Sequence, residues 1–277
     1  MIKADKYYIK NLNEILINGC YDEKPRPKYK DGAPAYTKFI TQVFEEYDIS
    51  KGEFPITTLR NTAIKSGIKE IFWIYQMQSN KLDDLHNLGI YWWDEFDIGD
   101  GTIGQRYGAT VKRYNLMDNL LDGLINEPFS RRHAINLYQE SDMRETDGLH
   151  PCAYETIWSI RKNEDDEYYL DMTLIQRSND YVMAGYINKI QYTALLMMVA
   201  SHCNYKVGKF CHLTQNLHIY NRHFDAAGEI LNRVPIKKQP KIILKNNKNF
   251  YDFIIDDFEI LNLENIKKLN STLEIAI

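Results

Sequence analysis

Leu149-His150-Pro151-Cys152-Ala153-Tyr154-Glu155-Thr156 opens a stretch that closes with Gln176-Arg177-Ser178-Asn179-Asp180 and then Ala184-Gly185-Tyr186-Ile187-Asn188. Between its ends, Tyr154 to Ile160 and Tyr168 to Ile175 are rich in aromatic and β-branched residues and are split by the polar turn Arg161 to Glu167. That pattern predicts the two strands of a hairpin. A hairpin here brings Cys152 and Arg177 to the same end of one sheet. A thiol is a poor nucleophile until it ionises, and a nearby guanidinium favours the thiolate. Cys152 is therefore a candidate nucleophile, set against the plainer reading of a buried cysteine used as a small hydrophobe. Gln176 to Asp180 tilt the balance. They are five consecutive polar residues at the end of an apolar strand, where a solvated turn would more often carry Gly or Pro.

Working outward, the chain of 277 residues is long enough to bury a full core, and its 44% hydrophobic and 26% charged residues are ordinary for a folded protein. A formal net charge of −4 gives no basic excess for holding nucleic acid, which is not expected as a partner. Cys20, Cys152, Cys203 and Cys211 show neither CxxC spacing nor a dense framework, which argues against zinc, against a disulfide scaffold, and for a reducing cytoplasm. The N-terminus has no apolar signal core, and the longest apolar run, Ala194 to Ala200, is too short to span a bilayer. No linker, repeat or low-complexity tract divides residues 1–277, so one domain is the economical reading.

Upstream of the hairpin, Tyr7 to Gly19 has the spacing of an amphipathic helix. The loop Asp22 to Ala35 carries Arg26, Lys28 and Lys30 among prolines and glycine. It reads either as a solvated surface loop or as a basic loop that covers a phosphate. Thr37 to Phe44 suits a strand, Phe54-Pro55-Ile56 leads towards a helix near Asn61, and Ala63 to Met77 suits a buried helix. Glu70 lies on that apolar face. It needs either a cationic partner or a raised pKa that serves chemistry. The aromatic run Ile90 to Phe96 is either core or the wall of a flat heterocycle. Leu116 to Ile125 reads as a short amphipathic helix. Arg131 and Arg132 are either surface residues or a phosphate fork, in the same subunit or a neighbouring one.

Downstream, Ile187 to Cys203 reads as a long buried helix. His218-Ile219-Tyr220 on a strand aims two polar side chains to one face, fit to hold a sugar hydroxyl. Asp252 to Leu261 alternates enough to predict a strand.

These pieces, taken in order, make the chain resemble a thymidylate synthase along nearly its whole length. They are Phe54-Pro55-Ile56, Glu70 with Trp73, Trp93-Asp94-Glu95, Tyr107-Gly108, Ser130-Arg131-Arg132-His133, Pro151-Cys152, Gln176 to Asp180, Asn188, His218-Ile219-Tyr220, Tyr251-Asp252-Phe253 and the terminal Ala276-Ile277. The resemblance implies an α/β (α+β) fold, a large mixed β-sheet flanked by helices, and a homodimer formed through that sheet. It implies reductive methylation of dUMP to dTMP, with 5,10-methylenetetrahydrofolate as cosubstrate and no metal.

Carried over by position, Cys152 would add to C6 of the uracil, with Glu70 relaying protons and Tyr107 assisting proton removal at C5. Arg177 and Ser178 would bind the phosphate with Arg131 and Arg132 of the partner subunit. Gln176 would join the dUMP site. Asn188 would pair with the O4 and N3 edge, and His218 and Tyr220 would hold the 3′-hydroxyl. Arg60, Trp93, Asp180 and Ile277 would serve the folate.

Departures from the family pattern keep a second reaction open. Gly32 stands where an arginine is usual, leaving Arg26, Lys28 or Lys30 to replace it. Ala153 follows the nucleophile in place of histidine, Ala184-Gly185-Tyr186-Ile187-Asn188 replaces Gly-x-Pro-Phe-Asn, and Gln215-Asn216 replaces Gly-Asp. Relatives that hydroxymethylate a pyrimidine nucleotide share the first half of the mechanism and then add water. Asn188 favours uracil over cytosine, since an amide can match uracil's acceptor–donor edge. Trp93 favours hydride transfer.

Overall fold

The computed structural model describes residues 1–277. The expected hairpin is present. Its strands, β4 (Ala153–Lys162) and β5 (Tyr168–Asp180), are antiparallel with Ala153 opposite Gln176 and Lys162 opposite Tyr168. On β5, Leu170, Met172, Leu174 and Gln176 are buried, while the residues between them are only partly covered. The period of two therefore points one face of the sheet inward.

Six strands make that sheet. β1 (Cys20–Tyr21), β2 (Thr37–Asp48), β3 (Ala134–Asn136) and β6 (Lys206–Tyr220) join the hairpin in the order β1-β2-β6-β5-β4-β3. β5 and β6 run parallel and every other neighbouring pair runs antiparallel, so the sheet is mixed, as expected. A parallel neighbour needs a crossover, and α7 (Gly185–His202) supplies it. All but four of its 18 residues are buried, because it packs between the sheet and α2 (Ile64–Ile71). Gly67 of α2 allows the close approach: a methyl group there would stand 3.3 Å from both Ile187 and Gln191.

Around this centre lie α1 (Lys3–Asn18), α3 (Leu82–Asn87), α4 (Gly108–Arg113), α5 (Leu116–Asn126), α6 (Glu140–Glu145) and α8 (Phe224–Leu231). A small antiparallel pair, β7 (Lys241–Leu244) and β8 (Phe258–Leu261), completes the fold. One continuous apolar cluster runs from Ile2 to Phe258, so the small pair shares the core of the large sheet.

Three local expectations are corrected. The helix expected from Ala63 to Met77 is α-helical only over Ile64–Ile71 and widens to a π turn over Phe72–Gln76. Such widenings rotate the following side chains and are frequent at functional sites. The helix expected near Asn61 begins only at Ile64. Buried Asp5 instead ties down the preceding segment, accepting hydrogen bonds from Thr57 Oγ1, Thr58 N and Thr58 Oγ1 at 2.7, 2.8 and 2.6 Å. Of the strand expected over Asp252 to Leu261, only Phe258–Leu261 pairs. Asp257 accepts the Ile254 N–H at 2.9 Å and the Lys248 ammonium at 2.8 Å, which folds the earlier residues into short turns.

Candidate active site

Cys152 leads into β4, and its carbonyl accepts the Arg177 N–H at 2.9 Å, closing the end of the hairpin. The Arg177 guanidinium turns back on the same segment. Its Nε donates to Pro151 O at 2.9 Å, and Nη2 donates to His150 O at 2.7 Å and lies 3.5 Å from Cys152 Sγ. Thiol and guanidinium are thus paired as the sequence predicts. Burial nevertheless pushes the thiol above its ordinary range, opposed first by Arg177 and then by Arg26. The guanidinium tempers that desolvation without overturning it.

A cavity of about 630 Å³ opens over Cys152. Tyr107 stands at its wall with φ +48°, a conformation that costs a non-glycine residue on the order of 1–3 kcal/mol and is held only by its surroundings. Its hydroxyl accepts the Cys152 N–H at 3.2 Å, and burial raises its pKa far enough to keep the phenol protonated. Glu70 is buried in the same wall. It is the Trp92 indole, at 2.5 Å from Oε2, and not a cation that meets it. Burial raises the Glu70 carboxyl, with the Trp92, Trp93 and Gln191 side chains opposing. Of the two readings of Glu70, the raised carboxyl is the one present. Trp93 packs among Trp73, Phe96 and Tyr107, with ring centres 5.9, 5.4 and 5.2 Å away.

The far side of the cavity is built by strand ends. Gln176 Nε2 donates to Asn188 Oδ1 at 3.1 Å, joining β5 to the first turn of α7. His218 and Tyr220 share one face of β6, with ring centres 5.2 Å apart, as their alternation predicts. Asn216, at one departure from the family pattern, meets His218 Nδ1 at 3.0 Å. Asp180 lies opposite His218 in register. Burial would raise its carboxyl, but His223 at 3.6 Å, His218 and the Met183 N–H outweigh it and hold the group below its usual range. Arg26 and Ile277 close the rim.

A thymidylate synthase family model matches residues 6–275. The chain belongs to the thymidylate synthase family. It is 50% identical over 270 residues to a thymidylate synthase of Lactococcus lactis subsp. lactis, covering 96% of this chain and 97% of that protein. It is 48% identical over 271 residues to one from Streptococcus pneumoniae strain 70585, covering 96% and 97%. The solved thermostable thymidylate synthase A of Bacillus subtilis superposes with a TM-score of 0.88 at 33% identity, covering 99% of each chain. The fold class, family and enzyme class expected from the sequence all hold.

Within this thymidylate synthase fold, Cys152, Glu70, Tyr107, Asn188, Gln176, Arg177, Ser178, His218, Tyr220, Trp93, Asp180 and Ile277 line one cavity. Three expected residues do not. Arg60 is buried behind the wall, donating to the Met183 carbonyl at 3.2 Å with its Nε unpaired, so it supports the wall and does not form it. Arg131 and Arg132 sit on an exposed turn after α5, apart from this chain's own cavity. Sequence reasoning also missed residues. Trp92 was legible only as an indole that, once buried, must find an acceptor. His223 and His212 carried no local signal.

Proposed function

We propose that this thymidylate synthase family member reductively methylates dUMP to dTMP with 5,10-methylenetetrahydrofolate. The observation that carries the reading is the thiol of Cys152, 3.5 Å from the Arg177 guanidinium, in one cavity with Glu70, Tyr107 and Asn188. C5 of a neutral uracil is too weak a nucleophile to attack carbon by itself. Covalent addition of Cys152 to C6 makes it an enolate carbon, and departure of the cysteine restores the ring.

The residues of the cavity divide the remaining work. Arg177, Ser178 and Arg26 take the phosphate, with Arg26 filling the role left open by Gly32. Asn188 and Gln176 read the base. His218 and Tyr220 hold the 3′-hydroxyl. Glu70, whose pKa burial raises, exchanges a proton with the O4 side of the ring through water, and Tyr107 assists proton removal at C5. The folate supplies a one-carbon unit and a hydride. Asp180, an acceptor held ionised beside the cavity, suits the N–H groups of its pterin, while Trp93 offers an apolar face and Ile277 closes the rim.

The protein acts as a homodimer through the sheet face turned away from α7. Phe44, Leu213, Ile175 and Ile157 lie on that face, with Phe44 53% and Ile157 41% exposed. Apolar side chains in register on a broad sheet face favour a second layer. Arg131 and Arg132 then complete the phosphate site of the partner. Sedimentation analysis giving a concentration-independent monomer would overturn this arrangement.

Tritium release from [5-³H]dUMP with methylenetetrahydrofolate, followed alongside absorbance for dihydrofolate, tests the reaction. Equal amounts of both support the synthase. Release without dihydrofolate means hydroxymethylation, and no release from dUMP or dCMP excludes both reactions.

A further inference from the structure

Behind the cavity the polar side chains form a chain with a direction. His212 on β6, 1% exposed, meets Gln176 Oε1 through Nε2 at 2.9 Å. Gln176 Nε2 donates to Asn188 Oδ1 at 3.1 Å. Asn179 Nδ2 donates to Gln176 Oε1 at 3.0 Å and to Asn188 Oδ1 at 3.2 Å. Asn188 Nδ2 donates in turn to Gln191 Oε1 at 2.9 Å.

An amide accepts only at oxygen and donates only at nitrogen. Reversing one member alone therefore sets oxygen against oxygen or N–H against N–H, at a cost that burial makes large. The amides turn together or stay together. The imidazole at the head of the chain biases which, as does the Glu70 carboxyl beside Gln191 at its foot. The imidazole Nε2 must donate to face the Gln176 amide oxygen, while the Thr214 hydroxyl, 3.3 Å from the same nitrogen, can take either role; with the proton on Nδ1 instead, Nε2 would call for the Gln176 amino group. Burial and, second, the Lys189 ammonium press the His212 pKa well down, so the ring is neutral and its tautomer is a real choice.

The direction has a consequence at the cavity. Asn188 Oδ1 already accepts two hydrogen bonds, whereas Nδ2 gives one and keeps one hydrogen. Asn188 thus presents a donor, which suits O4 of uracil and opposes the amino group of cytosine. Turned round, it would present an acceptor and reverse the preference.

We propose that His212 is a positioning residue for base choice: by donating from Nε2 to Gln176 it sets the direction of the Asn188 amide and so selects uracil over cytosine. The proposal rests on the reading of Asn188 as the residue that meets the base.

Calorimetric dissociation constants for dUMP and dCMP, measured on the full chain, test it. His212→Phe, which removes the donor, is expected to lower the dUMP:dCMP preference at least about tenfold, and His212→Gln, which retains one, to restore most of it. A His212→Phe ratio within about twofold of the unaltered protein overturns the relay if Asn188→Ala still collapses the ratio. If Asn188→Ala leaves the ratio unchanged, the base-reading role of Asn188 fails and the relay falls with it. Should His212→Phe not fold, ¹⁵N-histidine spectra of the unaltered protein, assigned with His212→Gln, decide. A neutral ring protonated at Nε2 supports the proposal, and one protonated at Nδ1 overturns it.

Discussion

Lys28 and Ile277 exchange both backbone hydrogen bonds, with Lys28 N to Ile277 O at 2.7 Å and Ile277 N to Lys28 O at 3.0 Å. This two-rung ladder fastens the last residue of the chain to the basic loop that carries Arg26. Arg222 clasps the same two segments from outside, reaching Asp31 at 2.6 Å and Glu274 at 2.7 Å, with its guanidinium 3.9 Å from the centre of the Tyr29 ring. The end of the chain and the basic loop are therefore mechanically one piece. Deleting Ile277 removes two backbone bonds worth together about 1–3 kcal/mol. Steady-state kinetics should show KM rising roughly tenfold or more for dUMP as well as for the folate. A rise confined to the folate would mean the two segments move independently.

Glu70 should control an acid limb in the pH profile of kcat/KM, placed above the ordinary carboxylate range because burial raises its pKa. The Trp92 indole donates to the ionised form and opposes that rise. Trp92→Phe should consequently move the limb to still higher pH, and a limb that stays put or moves down would contradict the assignment.

The same shift carries a stability signature. A carboxyl whose folded pKa is raised contributes stability that is full below its unfolded pKa and is lost as pH rises through the folded value. Glu70→Gln should therefore stabilise the protein against thermal unfolding at pH 8 more than at pH 5, while lowering kcat by roughly 100-fold. Equal changes in Tm at both pH values would show that Glu70 does not titrate with folding.

Arg26 lies at the cavity rim, whereas the Lys30 ammonium is engaged 3.0 Å from Glu95. Arg26→Ala should raise KM for dUMP about 10- to 100-fold with little change in kcat, the pattern of a contact made equally in ground and transition states. Lys30→Ala should change it less than about threefold. A larger effect from Lys30 would transfer the role of the absent loop arginine to that residue.

Lys189 and Glu45 form an ion pair at 2.9 Å with 1% and 2% side-chain exposure, and the ammonium also lies over the Tyr181 and Tyr186 rings at 4.6 and 4.3 Å. Lys189→Met leaves a buried carboxylate without its cation and should cost about 3–5 kcal/mol in chemical denaturation. Adding Glu45→Gln should recover at least half of that loss. No recovery would place the cost in packing and not in charge.

Much of this is legible in the sequence. Alternating residues around a polar turn determined the hairpin, and the hairpin alone put Cys152 beside Arg177. His218 and Tyr220 were placed on one face by the same period of two, and the all-round apolar segment after Ile187 could only be a buried helix. Local periodicity is set by backbone geometry, so it is written in neighbouring residues. The choice between two states of Glu70, the burial that lifts the Cys152 thiol against its guanidinium, the withdrawal of Arg60 behind the wall and the relay from His212 to Asn188 were not legible. Each depends on which distant side chains exclude water from a group or turn a donor towards it: Trp92 lies 22 residues from Glu70, and His212 lies 36 from Gln176. The sequence determined which groups are present and on which face each strand presents them. Only the tertiary structure decided their protonation, orientation and accessibility, because desolvation and hydrogen-bond direction are properties of the packed surroundings and not of the residue.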